Sequence, residues 1–165
     1  MYEIGDSLNI YEVLDKLEIT YEEIEHPAVY TVEEANKIEN MLDGIGCKNL
    51  FLTDKKGHYY LYVLKDNKKA DLKSLALYLK VLRLTFGSEE DLNSLLGLSK
   101  GSVTPLGIIN DLKHEVVLII DSDLVDKKLL CHPNVNTKTI SIEYKDLIRL
   151  INNQGNRYII YKEEN

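Results

Sequence analysis

Lys48 is the first residue that invites a chemical reading. It lies in Cys47–Thr53, CKNLFLT. In an extended chain alternate side chains point to opposite faces, so Lys48, Leu50 and Leu52 share one face and Cys47, Asn49 and Phe51 the other. Both faces carry large apolar groups, which predicts a strand buried on both sides with Lys48 at its mouth. An ammonium there either snorkels to solvent or meets a partner or ligand, because an unpaired buried charge is costly. The second feature is Gly101–Pro105, GSVTP. Gly101 permits close approach of the backbone, and Pro105 stiffens the far end. Such a loop can aim backbone N–H groups into a pocket, as anion-binding concavities do, although the same pattern also makes ordinary turns. The third is His132-Pro133-Asn134-Val135-Asn136. His132 can serve as donor or base, or simply brace a Pro-Asn turn.

The other reactive side chains read as structural. Cys47 would project opposite Lys48 with no histidine near it in sequence, so a buried apolar thiol is expected rather than a nucleophile. His58 and His114 fall beside turns, and His26 reaches a pocket only if its loop folds over. No P-loop, Rossmann glycine signature, hydrolase elbow or HExxH is present. The two cysteines, Cys47 and Cys131, have no ligand spacing, which argues against zinc and for reduced thiols. The lysines at 55, 56, 65, 68, 69 and 73 read as solvated, with a modest local positive surface around them.

Twenty basic against 27 acidic residues give a net charge of −7. That balance excludes a general polyanion binder and, with no basic recognition helix, makes a DNA-binding role a poor third reading, but leaves room for a pocket holding one end of a nucleic acid. The apolar runs are too short to span a bilayer, and the N-terminus lacks the basic and apolar regions of a secretory signal. A cytoplasmic protein without membrane association is expected. With 165 residues, no repeat and no linker, residues 1–165 are expected to form one domain.

The elements that must position these residues follow from periodicity and caps. Leu8, Tyr11, Leu14 and Leu17 predict a first helix capped by Ser7. A short strand near Tyr21–Glu25 ends at His26-Pro27. Thr31-x-x-Glu34 is a capping box that opens a helix to about Met41, broken by Gly44 and Gly46. Cys47–Thr53 and His58–Leu64 form a hairpin across Asp54–Gly57. Asp71 caps a helix carrying Leu72, Leu75, Leu79 and Leu82. A strand near Arg83–Phe86 follows, then a helix from Ser88 to Gly97. Leu106–Asn110 and Glu115–Asp121 are expected to form a second hairpin, followed by a short helix near Asp123–Leu129. A strand at Thr137–Ile142, a helix at Glu143–Asn153 and a strand at Arg157–Tyr161 close the chain. Hairpins without strict β-α-β alternation predict an α+β fold, a mixed and mainly antiparallel sheet surrounded by helices.

Four segments occur in a telling order: Tyr30–Ala35 (YTVEEA), Cys47–Leu52 (CKNLFL), Gly101–Gly107 (GSVTPLG) with Ile109-Asn110-Asp111, and His132-Pro133-x-x-Asn136 followed by Thr137 and Thr139. Together they resemble the freestanding prolyl-tRNA editing proteins of the ProX type, in the YbaK/prolyl-tRNA-synthetase-associated domain superfamily, over nearly the whole chain. The resemblance implies aminoacyl-tRNA deacylation in trans, removing alanine wrongly attached to proline tRNA. It places the key lysine at Lys48, the substrate loop at Gly101, Ser102, Val103, Thr104 and Pro105, and the histidine at His132. Thr31, Asn49 and Asn136 match positions near the pocket. Asn134 stands where relatives often carry an apolar residue. The implied partner is the acceptor end of tRNA(Pro) carrying a small amino acid, with prolyl-tRNA synthetase as a second partner. No metal or other cofactor is implied. Two other readings remain: a deacylase for cysteinyl- or seryl-tRNA, and a noncatalytic sensor of an amino acid or aminoacyl-tRNA.

Overall fold

The strand that carries Lys48 is the axis of the sheet. In the computed structural model, which describes residues 9–28 and 32–163, β2 (Ile45–Thr53) pairs antiparallel with β3 (Tyr59–Lys65) from Cys47–Lys65 to Thr53–Tyr59. The expected hairpin is therefore present. Its turn is built by Asp54, whose carboxylate accepts from the N–H of Lys56 at 2.8 Å and of His58 at 3.2 Å. Outward from β3 come β5 (Val116–Asp121) and β8 (Tyr158–Tyr161), each parallel to its inner neighbour.

The opposite edge of β2 is divided. Its start runs parallel to β6 (Lys128–Cys131) through Ile45–Leu129 and Gly46–Leu130. Its end runs antiparallel to the two-residue β4 (Thr85–Phe86). β7 (Lys138–Glu143) pairs antiparallel with β6, and β1 (Glu22–Glu25) with β7, so the path reads β1-β7-β6-β2-β3-β5-β8. The α+β expectation holds, with a mixed sheet in which antiparallel pairings predominate.

Both faces are covered. Phe51, Leu61, Val63, Leu118 and Ile120 pack on one face against α1 (Ile10–Lys16), α4 (Glu89–Leu96) and α5 (Tyr144–Gln154). Leu52, Tyr60, Tyr62, Leu64 and Ile119 pack on the other against α3 (Leu72–Leu79). This double burial is why β2, β3 and β5 read as nearly unbroken apolar runs. The helices stop where their caps dictate. The Asp71 carboxylate accepts from Ser74 N–H at 3.1 Å, and Ser88 Oγ from Asp91 N–H at 3.0 Å. Gly97 closes α4 in the left-handed conformation at φ 64°.

Several local expectations are corrected. Asn9 caps α1, accepting from Tyr11 N–H at 2.9 Å; Ser7 lies outside the described residues. So does Thr31, the expected cap of α2 (Val32–Glu39). Gly46 belongs to β2 rather than to a helix break. Leu82 leaves the α3 face, because Lys80 turns left-handed at φ 61°, and is 86% exposed. Leu106–Asn110 is not a hairpin strand but part of a 3-10 helix over Pro105–Asn110. Thr104 Oγ1 accepts from Leu106 N–H at 3.3 Å, and Pro105 presets the first turn. Buried Asp111 then braces the passage to β5, accepting from the N–H groups of Glu115 and Val116 and from Asn156 Nδ2. The helix expected near Asp123–Leu129 shrinks to a 3-10 turn at Ser122–Leu124, and its end is β6.

Candidate active site

The site follows from the division of the sheet. β2 and β6 part after Gly46 and Leu130, and two residues further along each chain stand Lys48 and His132. Between β6 and β4, no described strand pairs with residues 47–51 of β2 on that edge. The Gly101–Pro105 loop lies against this gap. Asn49 Nδ2 donates to the Val103 carbonyl at 3.2 Å. A Cβ on Gly101 would come 3.4 Å from Asn136 Nδ2. The structure thus joins three of the four segments picked out in the sequence, through Asn49, Val103, Gly101 and Asn136. The loop's bond to β2 is made by Asn49, on the face opposite Lys48. Thr31 lies outside the described residues.

Lys48 is half-buried and has no ion pair among the described residues. It stands on β2 between Cys47 and Asn49, opposite Leu64 of β3. Asn49 Oδ1 is a buried acceptor with no hydrogen-bond partner among the described residues, which leaves it open to a ligand N–H or O–H. Ser102 and Thr104 are buried and engaged within the loop: Ser102 Oγ lies 3.1 Å from Ser99 Oγ, and Thr104 Oγ1 serves Leu106 N–H. Ser102 N–H donates to the Ser99 carbonyl at 3.0 Å, and Pro105 has no N–H. The backbone donors left to the loop among the described residues are those of Gly101, Val103 and Thr104.

His132 is fixed by its own loop. Its Nδ1 lies 2.9 Å from the Lys138 carbonyl, which can only accept, so the proton sits on Nδ1 and the neutral ring keeps a lone pair on Nε2. Burial pushes its pKa below the usual 6.5; the Lys138 carbonyl works against that shift, and the nearby His26 adds to it. Asn134 adopts φ 65°, a conformation asparagine tolerates better than an apolar β-branched residue, which accounts for its presence in that turn.

His26 is the residue that sequence reasoning underrated. Its ring centroid is 6.2 Å from that of His132. Its Nδ1 lies 2.8 Å from the Pro27 carbonyl and its Nε2 2.8 Å from Thr139 Oγ1. The two histidines are brought together by the β1–β7–β6 pairing, which no local spacing reveals. Neither thiol is in a disulfide; Cys131 is buried, which pushes its pKa up to about 12, whereas Cys47, expected to be buried, is half-buried with its Sγ donating to the Ile45 carbonyl at 3.4 Å. Lys68 departs from the solvated reading, since its Nζ lies 2.8 Å from buried Asp121. Among the described residues no group of three His, Cys, Asp or Glu side chains is placed to hold a metal ion, and no helix is long and apolar enough to cross a membrane.

Beside the gap lies a hollow of about 500 Å3, bounded by Asn49 and Val103 on one side and by Phe51, Phe86, Gly87 and Lys100 on the others.

With this geometry in hand, comparison with known proteins decides the family. The family profile "Aminoacyl-tRNA editing domain" matches residues 26–150. The chain belongs to the aminoacyl-tRNA editing domain family. The prolyl-tRNA editing protein ProX of Acetoanaerobium sticklandii is 41% identical over 147 residues, covering 88% of this chain and 90% of that protein. The prolyl-tRNA synthetase associated domain-containing protein 1 of Danio rerio is 34% identical, covering 85% and 78%. A solved structure of a candidate trans-editing enzyme for prolyl tRNA synthetase superposes with a TM-score of 0.69 at 22% identity, over 97% of this chain and all of that one; at that identity it bears on the fold.

As a member of the editing-domain family the chain is an aminoacyl-tRNA deacylase. The chemistry asked of it is modest. An aminoacyl ester is already activated, so the protein need only position ester and water and stabilise charge on the carbonyl oxygen. In general a positioned cation and preorganised backbone N–H groups can supply that stabilisation.

Proposed function

We propose that this deacylase acts in trans on alanine wrongly esterified to tRNA(Pro), and that it selects small aminoacyl groups by the size of its pocket. The observation that carries the reading is Lys48, a half-buried ammonium without an ion pair among the described residues, at the edge where β2 loses its strand neighbour. In this mechanism Lys48 stays protonated and anchors the terminal phosphate or the ester carbonyl. The N–H groups of the 101–104 loop grip the carbonyl oxygen, each such donor contributing about 2.7–4 kcal/mol to transition-state stabilisation. Asn49 Oδ1 accepts from the substrate. A ribose hydroxyl of the tRNA, with His132 Nε2 as acceptor, helps to activate the water. Asn136 borders the bound aminoacyl end, and Thr31 is assigned a contact with it from the sequence resemblance alone.

Selection by size is the expected logic of a second sieve. A synthetase pocket built for proline cannot strongly exclude a smaller amino acid, so a separate site that admits only small groups removes the error. The 41% identity to a prolyl-tRNA editing protein supports proline tRNA as the nucleic-acid partner.

The test is a deacylation panel of alanyl-, cysteinyl-, seryl- and prolyl-tRNA(Pro), with wild type and Lys48→Ala. Fast turnover of the alanyl ester, retention of the prolyl ester and loss of turnover in Lys48→Ala are expected. Preferred turnover of the cysteinyl or seryl ester would reassign the substrate. Tight binding without turnover would favour a sensor.

A further inference from the structure

We propose that the hollow beside the gap receives the 3′-terminal nucleoside of the tRNA, with its base stacked on Phe86 and the adjoining phosphate held by Lys100, which leaves the ester carbonyl, of the two contacts named above, to Lys48. The inference rests on the deacylase reading, since it concerns the same substrate at the same site.

Size gives the first argument. The hollow measures about 500 Å3, within the range of small-molecule sites and far more than the methyl group of alanine requires. Continuity gives the second. Asn49 and Val103, which join β2 to the substrate loop at 3.2 Å, also form one wall of the hollow. In an aminoacyl-tRNA the amino acid is esterified to the ribose of the terminal nucleoside. An ester held at the loop therefore places that ribose, and then its base, next to this wall.

The remaining walls suit a base and a phosphate. Phe86 ends β4 with 63% of its surface exposed, a large apolar ring left in water at the rim of a cavity. Every base offers a π-face, so such a ring binds any base by stacking. The floor is prearranged. Phe51 stacks on Tyr59, with centroids 5.7 Å apart and planes within 7°, and the Tyr59 hydroxyl donates to Asp91 at 3.1 Å. Gly87 packs directly against the Phe51 ring: a Cβ there would sit 2.3 Å from it. Lys100 is exposed and has no ion pair among the described residues, in a chain of net charge −7. Glu89 also borders the hollow. It repels a phosphate from its own side and can accept from an exocyclic base amine, which leaves Lys100 as the phosphate contact.

The test uses uncharged tRNA(Pro) with 2-aminopurine in place of the terminal adenine, so that it reads stacking without turnover. Wild type is expected to quench the emission. Phe86→Ala should abolish the quenching and Phe86→Trp should restore it. With alanyl-tRNA(Pro), Phe86→Ala should raise KM about tenfold and leave kcat nearly unchanged, as lost uniform binding does. Lys100→Ala should raise KM and reduce the salt dependence by about one phosphate contact. Unchanged emission with wild type would overturn the proposal while leaving deacylation standing if the alanyl ester still turns over. Quenching without turnover would support the subsite and sink the deacylase reading alone. A Phe86→Ala variant that alters the preference among alanyl, seryl and prolyl esters would overturn it too, because the hollow would then hold the amino acid.

Discussion

The two long edges of β2 are built from the same nine residues and do opposite things. Along one edge Cys47 to Thr53 pair without a break with β3, which is itself backed by β5 and β8. Along the other, β6 takes Ile45 and Gly46, β4 takes Leu52 and Thr53, and the stretch between has a loop beside it instead of a strand. The continuous edge fixes backbone position to the tolerance of a hydrogen-bond ladder. The broken edge then offers side chains and loop N–H groups in fixed places without a strand to occupy them. A rigid ladder on one side is what makes a usable gap on the other.

The sharpest way to break this comparison is to cut each edge separately. Leu61 of β3 is fully buried, and Leu61→Ala should cost about 2–5 kcal/mol of stability. Its residual deacylation should scale with the folded fraction, read by urea unfolding beside turnover. Lys48→Ala should do the reverse. Turnover is expected to fall about a hundredfold to a thousandfold, while the urea midpoint moves little, because no ion pair among the described residues is lost. If Lys48→Ala instead unfolded the protein and spared the activity of the folded fraction, the division of labour between the edges would be wrong.

The same division explains what the sequence made legible. The ladder side was readable because its signals are local: the Asp54 turn, alternating apolar runs, and caps at Asp71 and Ser88 each act within a few residues. The order of the four motifs identified the site residues as a set. Their assembly was not readable. β6 is only four residues long, KLLC, and its first half reads as the end of a helix; without it nothing brings His132 to the broken edge of β2. His26 and His132 lie 106 positions apart and meet through two strand pairings. Leu106–Asn110 is apolar enough for a strand, and its helical fate is decided by Thr104, Pro105 and the bracing of Asp111. The shared face of Lys48, Leu50 and Leu52 is legible from strand alternation alone, while the contact to the loop falls to Asn49 on the opposite face.

A smaller perturbation tests how firmly the end of the gap is held. Gly87 N–H donates to the Phe51 carbonyl at 2.9 Å, and a methyl at Gly87 would fall 2.3 Å from the Phe51 ring. That ring cannot swing aside freely, since it is stacked on Tyr59. Gly87→Ala should therefore cost about 1–3 kcal/mol, as overpacking does. It should also raise KM beyond what the loss of folded protein explains, because the displaced ring enters the hollow. A drop in the melting midpoint with unchanged KM would mean that the ladder side absorbs the strain and the gap does not feel it.

The mildest expected effect is a dependence on pH that belongs to the gap alone. Burial holds the His132 imidazole neutral and lowers its pKa from 6.5; its Nδ1 proton is already committed to the Lys138 carbonyl, and His26 lies close by. Well above pH 6.5 the ring is neutral in both folded and unfolded chains and contributes no slope. Below it the unfolded chain takes up a proton that the folded one resists, so stability falls as pH falls, until the folded ring is protonated too. Urea unfolding from pH 8 to pH 5 should therefore show wild type losing more stability than His132→Asn across that range. The continuous edge has no buried histidine to add to the difference, because His58 at its turn is exposed and paired with Asp54. If the two proteins lost stability in parallel, His132 would be as free to charge in the fold as in water, and the gap would be wetter than its burial indicates.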